Sequence, residues 1–334
     1  MSDSGRKPQI RPTIRDVARV ANVSHQTVSR CLNNPDTLRD ETRARVNLAI
    51  KKLDYKRSPM ARGLATNSSR LIGVIDSGSA VHGQLLILSD VLSAAREYGY
   101  SVRNFFVDPR LSGQLDDAIE TLRSERVDGI IILANTTLHV QVANELATWL
   151  PVVSVAPEVE DSSSMSVVSV DQRGGAHQAL QHMRNSGRKR IGHIRGPLGW
   201  ADSDIRHEVW SEYVPSSQLA EWVVVGDFGP ESGYRATPRL LEVGCDAIFA
   251  ANDYMALGVM RACHKLGVDI PEQLAVVGFD DIVTAGYFTP PLTTVRQPFE
   301  MIGHHAVELL IDLLQGGSSK RVTLSTELIV RLSM

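Results

Sequence analysis

The sequence predicts a small all-α head followed by a large α/β core, and three observations lead there. Residues 13–33 read as two short amphipathic helices joined by a tight turn, and residues 40–53 as a third. From residue 71 onward, strand-like Val, Ile and Leu runs alternate with helically spaced segments, the pattern of parallel sheets covered by helices on both faces. The formal net charge of −3 conceals a split: residues 1–70 hold 15 Lys and Arg against 6 Asp and Glu, and the remainder 20 against 32. A basic head on an acidic body is what phosphate binding by one end requires. At 334 residues the chain is too long for the head alone and suits two or three domains.

Residues 1–12 are polar, contain Pro8 and Pro12, and read as a disordered tail. Thr13 caps the first helix, and Asp16 three residues on completes the box that satisfies its free amides. Ile14, Val17, Ala18 and Ala21 share one face. Asn22-Val23 makes the corner, and Ser24 caps the second helix. Val28 and Leu32 point back at the first helix, leaving His25, Gln26, Ser29 and Arg30 outward. A short helix with hydrogen-bonding residues on its free N-terminal face fits a DNA major groove and can read base edges there. In the third helix Val46, Ala49, Ile50 and Leu53 are spaced to close a three-helix core. Its start carries Arg39 where a capping side chain is expected, and Asp36 or Asp40 is the candidate to compensate. Residues 13–55 are therefore a helix-turn-helix DNA-binding domain. Residues 56–70 form a basic hinge in which Ser58 and Pro59 would start a short helix. Gly63 and the brevity of that helix leave it marginal in isolation.

Strands are expected at 71–75, 102–106, 129–133, 152–155, 167–170, 190–194, 222–225, 247–250 and 275–279, with a last strand-like run at 327–332. Helical spacing occupies 85–98, 114–124, 138–149, 172–187, 231–243, 253–266 and 298–314. Nine strands over some two hundred residues suggest two sheets rather than one. In open α/β sheets ligands sit beyond the carboxyl ends of strands. Three loops place polar residues at such ends: Ala250-Ala251-Asn252-Asp253, Gly278-Phe279-Asp280-Asp281, and the 196–206 turn that supplies Arg206. An amide, carboxylates and a guanidinium together can chelate adjacent hydroxyls. Blander readings stand beside this one. Asn252 and Asp280 would also serve as helix caps, Arg206 could pair with Asp202 or Glu208, and Trp200 and Phe228 could be core.

The string Thr27-Val28-Ser29-Arg30, then Asn33, Thr42-Arg43, Val46, Leu53, Asp54-Tyr55, Leu64-Ala65 and Leu71-Ile72-Gly73-Val74, resembles the LacI/GalR family of sugar-responsive bacterial repressors. Further matches near 196, 252 and 280 extend the resemblance over nearly the whole chain. It implies that the core, 71–334, is a periplasmic-binding-protein-like pair of lobes crossed three times by the chain, lobe 1 about 71–168 and 296–322, lobe 2 about 169–295 and 323–334. It assigns Leu64, with Ala61 beside it, as an apolar wedge in the minor groove. It places effector contacts at Arg206, Asn252 and Asp280, and a ring platform at Phe228, with Trp200 a second stacking candidate. Ser77, Val81, His82 and Gln84 would line the cleft from the other lobe, and Gln297 lies near a crossing. Arg39 departs from the family's usual Ser or Thr.

Three scattered cysteines, Cys31, Cys245 and Cys263, and no clustered histidines argue for free buried thiols and against structural metal or disulfides. No basic stub with an apolar run opens the chain, and no apolar segment approaches about 20 residues, so a cytoplasmic protein without membrane association is expected. Neither a nucleophile with a base nor a carboxylate pair stands out; an enzyme is not expected, nor a cofactor. The expectation is a homodimeric transcriptional repressor on a near-palindromic double-stranded operator. Gln26 would read adenine and Arg30 guanine or phosphate, with His25 tuning specificity; Ser24, Thr27, Ser29, Asn33, Thr42 and Tyr55 would fix register through phosphates, and Ile14 would be a further DNA contact. No leucine heptad follows 327–332, which favours a dimer. The effector is expected to be a sugar or glycoside, leaning towards a β-galactoside, with purines and phosphorylated sugars open. The rival is a sugar-binding solute receptor with no DNA role.

Overall fold

A computed structural model describes residues 12–55, 68–76, 82–107, 113–134, 136–157 and 165–334, without the side chains of His82, Thr137 and Leu138. The chain divides into two units, residues 1–69 and 70–334.

The head contains α1 (Ile14–Ala21), α2 (His25–Asn33) and α3 (Asp40–Leu53). Thr13 and Asp16 form the expected reciprocal box, with each accepting from the other's amide. Asn22 ends α1 in the left-handed region at φ 51°, which turns the chain sharply into Ser24, whose hydroxyl accepts from the Thr27 amide at 3.1 Å. Val17, Ala18, Ala21, Val28, Cys31, Val46 and Ala49 are buried together, with Ile50 and Leu53 packed on them. Arg39 stands at the start of α3 without a side-chain cap. The expected compensation takes another form: Asp36 and Asp40 pair with Arg43 at 3.4 and 2.6 Å, and the acids of the first turn oppose the helix dipole.

The body holds two parallel sheets. The first runs β11-β5-β4-β3-β1-β2, from β1 (Leu71–Asp76), β2 (Ser101–Phe106), β3 (Gly129–Leu133), β4 (Val152–Val155), β5 (Ser166–Val170) and β11 (Arg321–Leu324). β3, Gly-Ile-Ile-Ile-Leu, is buried at every position, as a parallel strand covered on both faces must be. α4 (His82–Glu97) and α11 (Phe299–Leu314) cover one face. α5 (Gln114–Ser124) and α6 (Thr137–Leu146) cover the other. The second sheet, β7-β6-β8-β9, comprises β6 (Ile191–Arg195), β7 (Val223–Val225), β8 (Ala247–Ala250) and β9 (Ala275–Val277). It packs with α7 (Gln172–Asn185), α8 (Ala201–Glu212), α9 (Pro230–Glu242) and α10 (Asp253–Leu266). The α9–α10 crossing is so close that a Cβ on Gly258 would lie 1.9 Å from the Pro230 carbonyl oxygen, so only glycine fits.

β10 (Thr294–Arg296) and β12 (Glu327–Ile329) pair antiparallel beside the second sheet. The chain thus passes between lobes three times: after β5, between β10 and α11, and between β11 and β12. The first and third passages are tied together, Asp171 N–H donating to Leu324 O at 2.9 Å and the Thr326 hydroxyl to Asp171 O at 3.2 Å.

Several expectations shift. The lobe limits at 168/169 and 322/323 fall inside β5 and β11, because both strands complete their pairing in the first sheet before the chain leaves it. β9 stops at Val277, two residues short, where the chain turns into the Asp280 loop, and the last run ends at Ile329. α8 is absent from the segments with helical spacing, although a pairing of Arg206 with Asp202 or Glu208 supposes a helix there. It buries Ser203 and Arg206 beside Val209 and Trp210, which blurs its apolar stripe. β10 and β11 are too short and half-exposed to show a period.

Candidate DNA-reading head and effector cleft

In the head, the cap that starts α2 fixes which side chains stay outside. Ser24 and Thr27 share a hydroxyl–hydroxyl bond of 2.9 Å, so both are partly engaged in holding the turn. His25, Gln26 and Arg30 are exposed and carry no hydrogen bond or ion pair among the described residues, leaving their donors and acceptors available. Asn33, also exposed, donates to the Ser29 hydroxyl at 3.3 Å. Thr42 and Tyr55 are half-buried. Ile14 packs its side chain on the head core, so a contact there falls to the unpaired amides of the first turn. Ala61 and Leu64 lie outside the described residues.

In the body, four polar side chains meet in a buried chain. Arg206 is 3% exposed and directs Nε and Nη2 at Gln172 Oε1, at 2.9 and 2.7 Å, and Nη1 at the Ala251 carbonyl. Its guanidinium lies 3.8 Å over the Phe279 ring. Gln172 Nε2 donates to Gln297 Oε1 at 2.7 Å, and Gln297 Nε2 to Asp280 Oδ1 at 2.7 Å. Gln172 opens α7 just past the first crossing and Gln297 sits on the second, so the chain of bonds runs along the passage between lobes. Burial pushes the Asp280 carboxyl up to about 6, against the pull of Arg206 and the Gln297 bond. Asp280 adopts φ 115°, a left-handed conformation held by the Asp280–Arg296 bridge.

Asn252 does both things expected of it. Its Oδ1 accepts from the Met255 amide at 2.9 Å as an N-cap, and its Nδ2 donates to Phe228 O at 3.0 Å. That second bond anchors a turn in which Phe228 takes φ 66° and meets Trp200 edge-on at 5.3 Å. Both rings are half-buried rather than core. A Cβ on Gly196 would come within 2.3 Å of the Phe228 ring, so glycine there makes room for it. Trp200 also bridges to Thr136 of the other lobe. Asp253 is a clasp: it accepts from the Thr294 hydroxyl at 2.5 Å and the Ile282 amide at 2.9 Å, with burial first and then Asp280's charge raising its carboxyl well above the usual range.

Arg206 forms a salt bridge with neither Asp202 nor Glu208; Glu208 instead pairs with Arg173 at 2.9 Å. Gln84 is buried in lobe 1. Ser77, Val81 and the side chain of His82 lie outside the described residues. Sequence reasoning missed Gln172, and also Ser203, whose hydroxyl accepts from the Gly196 amide at 2.8 Å. Gln172 follows the carboxyl end of β5 by two residues, as Asn252 follows β8, so the strand-end signal could have pointed to it; Ser203 lies within α8 and carried no such signal. His304 is a clasp within lobe 1, holding Asp90 through both its amide (2.8 Å) and its ring.

Residues 13–58 match the model of bacterial regulatory proteins of the lacI family, and residues 180–334 that of a periplasmic binding protein-like domain. The chain is 32% identical to the lactose operon repressor of Escherichia coli strain K12, over 92% of this chain and 86% of that one. It is 30% identical to the HTH-type transcriptional repressor PurR of Haemophilus influenzae strain KW20/Rd, over 96% and 98%. A crystal structure of the lac repressor dimer bound to operator and the anti-inducer ONPF superposes with a TM-score of 0.86 at 30% identity, covering 96% of this chain and 98% of that one.

Proposed function

This chain belongs to the lacI family of bacterial regulatory proteins, and on that premise we propose that it is a homodimeric transcriptional repressor released from, or recruited to, its operator by a sugar. The observation that carries the reading is the face of α2: exposed His25, Gln26 and Arg30 whose side chains have no partner among the described residues, on a head rich in Lys and Arg. Each head lays α2 in a major groove, Arg30 suited to guanine and Gln26 to adenine. Ser24, Thr27, Ser29, Asn33, Thr42, Tyr55 and the first-turn amide at Ile14 contact phosphates and set register. Leu64 and Ala61 enter the minor groove between half-sites, and the complex works in the bacterial cytoplasm, where the chromosome is.

Arg206, Asn252, Asp280 and Gln297 bind the effector with Phe228 and Trp200 as ring platforms, and Ser77, Val81, His82 and Gln84 close on it from lobe 1. Because the bonded chain Arg206–Gln172–Gln297–Asp280 lies on the crossings, a ligand that competes for any of these groups biases the angle between lobes. A hundredfold preference for one state shifts operator affinity by about 2.7 kcal/mol. In the test, duplexes are selected from a random pool by the purified chain, then titrated by fluorescence anisotropy with and without a panel of sugars. A near-palindromic winner whose binding responds to a sugar supports the reading. A chain that prefers no duplex over random competitor at moderate salt overturns it in favour of a solute receptor.

A further inference from the structure

The end of lobe 1 at which its strands begin is the end at which the chain arrives from the linker, since Arg70 leads straight into β1. Four strand starts lie side by side there. Ser101 N–H, opening β2, donates to Arg70 O at 2.8 Å; Asp128 N–H, before β3, donates to Leu71 O at 2.9 Å; and Ile130 N–H donates to Pro151 O, before β4, at 3.0 Å. The row is three strand spacings, or about 14 Å, across. Three exposed arginines stand along it and form no ion pair among the described residues. Arg70 lies 4.9 Å over the Tyr100 ring and Arg123 4.5 Å over the Trp149 ring. Arg126 precedes β3, the strand between those that Arg70 and Trp149 precede. Stacking on a ring holds a guanidinium flat and leaves its N–H edge free for a phosphate. The dipole of α5 accounts for Arg123 in its last turn, but not for Arg70 and Arg126, which lie outside any helix. The acids of this end are mostly engaged. Glu125 pairs with Arg103 at 3.6 Å, Asp312 with Lys320 at 3.0 Å, Glu97 faces the His304 ring at 3.8 Å, and Asp128 accepts from the Arg70 amide at 3.1 Å. Glu145, in the last turn of α6, is exposed and forms no ion pair among the described residues.

We infer that this end of lobe 1 is a phosphate-facing surface, where Arg70, Arg123 and Arg126 meet the duplex backbone while the head reads bases. The inference rests on the head binding DNA. Residues 71–334 hold 20 Lys and Arg against 32 Asp and Glu, so a duplex repels most of the body. A cationic row at the tethered end relieves that repulsion and fixes which end of the body turns to DNA. The affinity it adds is sequence-independent and falls with salt, because phosphates carry no base information and release counterions when neutralised.

The test combines Arg70→Gln, Arg123→Gln and Arg126→Gln in the full chain. A control combines Arg235→Gln, Arg239→Gln and Arg261→Gln, which removes the same charge from exposed arginines of lobe 2. Both variants, shown folded by circular dichroism, are titrated by fluorescence anisotropy against the selected operator and a random duplex of equal length, from 50 to 200 mM salt. The first variant should lower the slope of log affinity against log salt by at least about 0.9, the value for one phosphate contact, on both duplexes. The control should keep the slope of the unaltered chain. An unchanged slope in the first variant overturns the inference, and so does an equal fall in both variants, which would be an effect of net charge alone. Affinity lost on the operator only, at unchanged slope, also overturns it, since the arginines would then be holding the linker. A chain that selects no operator fails the repressor reading, yet the random duplex still decides this inference. A chain that binds no duplex at 50 mM salt ends both.

Discussion

The head and the cleft hold polar side chains in opposite ways. On α2, the side chains of His25, Gln26 and Arg30 are exposed and have no partner among the described residues. In the cleft, Arg206, Gln172, Gln297, Asp280 and Asn252 are buried and bonded to one another or to backbone. A surface that must recognise DNA gains by leaving donors and acceptors to water, which costs little and is reversed on docking. A buried site has no water to fall back on, so each group must be satisfied before any ligand arrives. Stability and recognition are therefore separable in the head and fused in the cleft.

Substitutions should expose that difference. The largest effect is expected from Arg206→Met, which strands the Gln172 oxygen and the Ala251 carbonyl and removes the positive charge felt by Asp280. The body should lose about 3–5 kcal/mol, as when one partner of a buried charged network is removed. Differential scanning calorimetry checks this, and an unchanged body transition would mean the bonds are incidental. Arg30→Ala is the counterpart: no change in head stability, but a loss of roughly 1–3 kcal/mol in operator binding confined to particular base pairs. Uniform loss over all operator variants would make Arg30 a phosphate contact.

The third prediction concerns pH. His193 is fully buried among Trp210, Phe249 and His207, and burial first of all pushes its imidazole down to about 3. In the unfolded chain it titrates near 6.5 and binds a proton that the folded body refuses. Its contribution to stability is therefore complete above pH 6.5 and is lost as pH falls towards 3. At pH 5 that amounts to about 2 kcal/mol. Asp280 and Asp253 act in the opposite sense, since carboxyls raised by burial favour the folded body at low pH and lose that advantage as pH rises, for Asp280 towards about 6. His193→Phe, which keeps the ring stack, should flatten the acid side of the body's melting temperature profile between pH 7 and 5. An identical profile would assign the acid sensitivity to other groups. The smallest expected effect is Ser24→Ala, about 1 kcal/mol of head stability from the lost cap, read by urea unfolding at a far-ultraviolet wavelength.

Much of this was legible in order along the chain. The Thr13–Asp16 box and the Ser24 cap follow from contacts within a few residues, and the faces that form the head core from the helical spacing of their apolar residues, both of which the sequence encodes directly. The alternation of strands and helices was legible for the same reason, as was the placing of Asn252 and Asp280 just past strand ends. Gln172 was not, because its importance comes from meeting Arg206 and Gln297, 34 and 125 residues away. The bounds of α8 were not legible, since it buries an arginine and a serine where its apolar stripe should be.

The amino-acid order alone determined which residues cap, which repeat at helical or strand spacing, and where positive charge collects, since each depends on neighbours in the chain. Only the tertiary structure decided that Asn252 is at once a cap and an anchor for Phe228, that Arg206 spends its donors on Gln172 rather than on Asp202, and that the lobes part after Val170 and Leu324. Those outcomes are set by which distant segments the three crossings bring within hydrogen-bonding distance. A buried polar group takes whatever partner that packing offers.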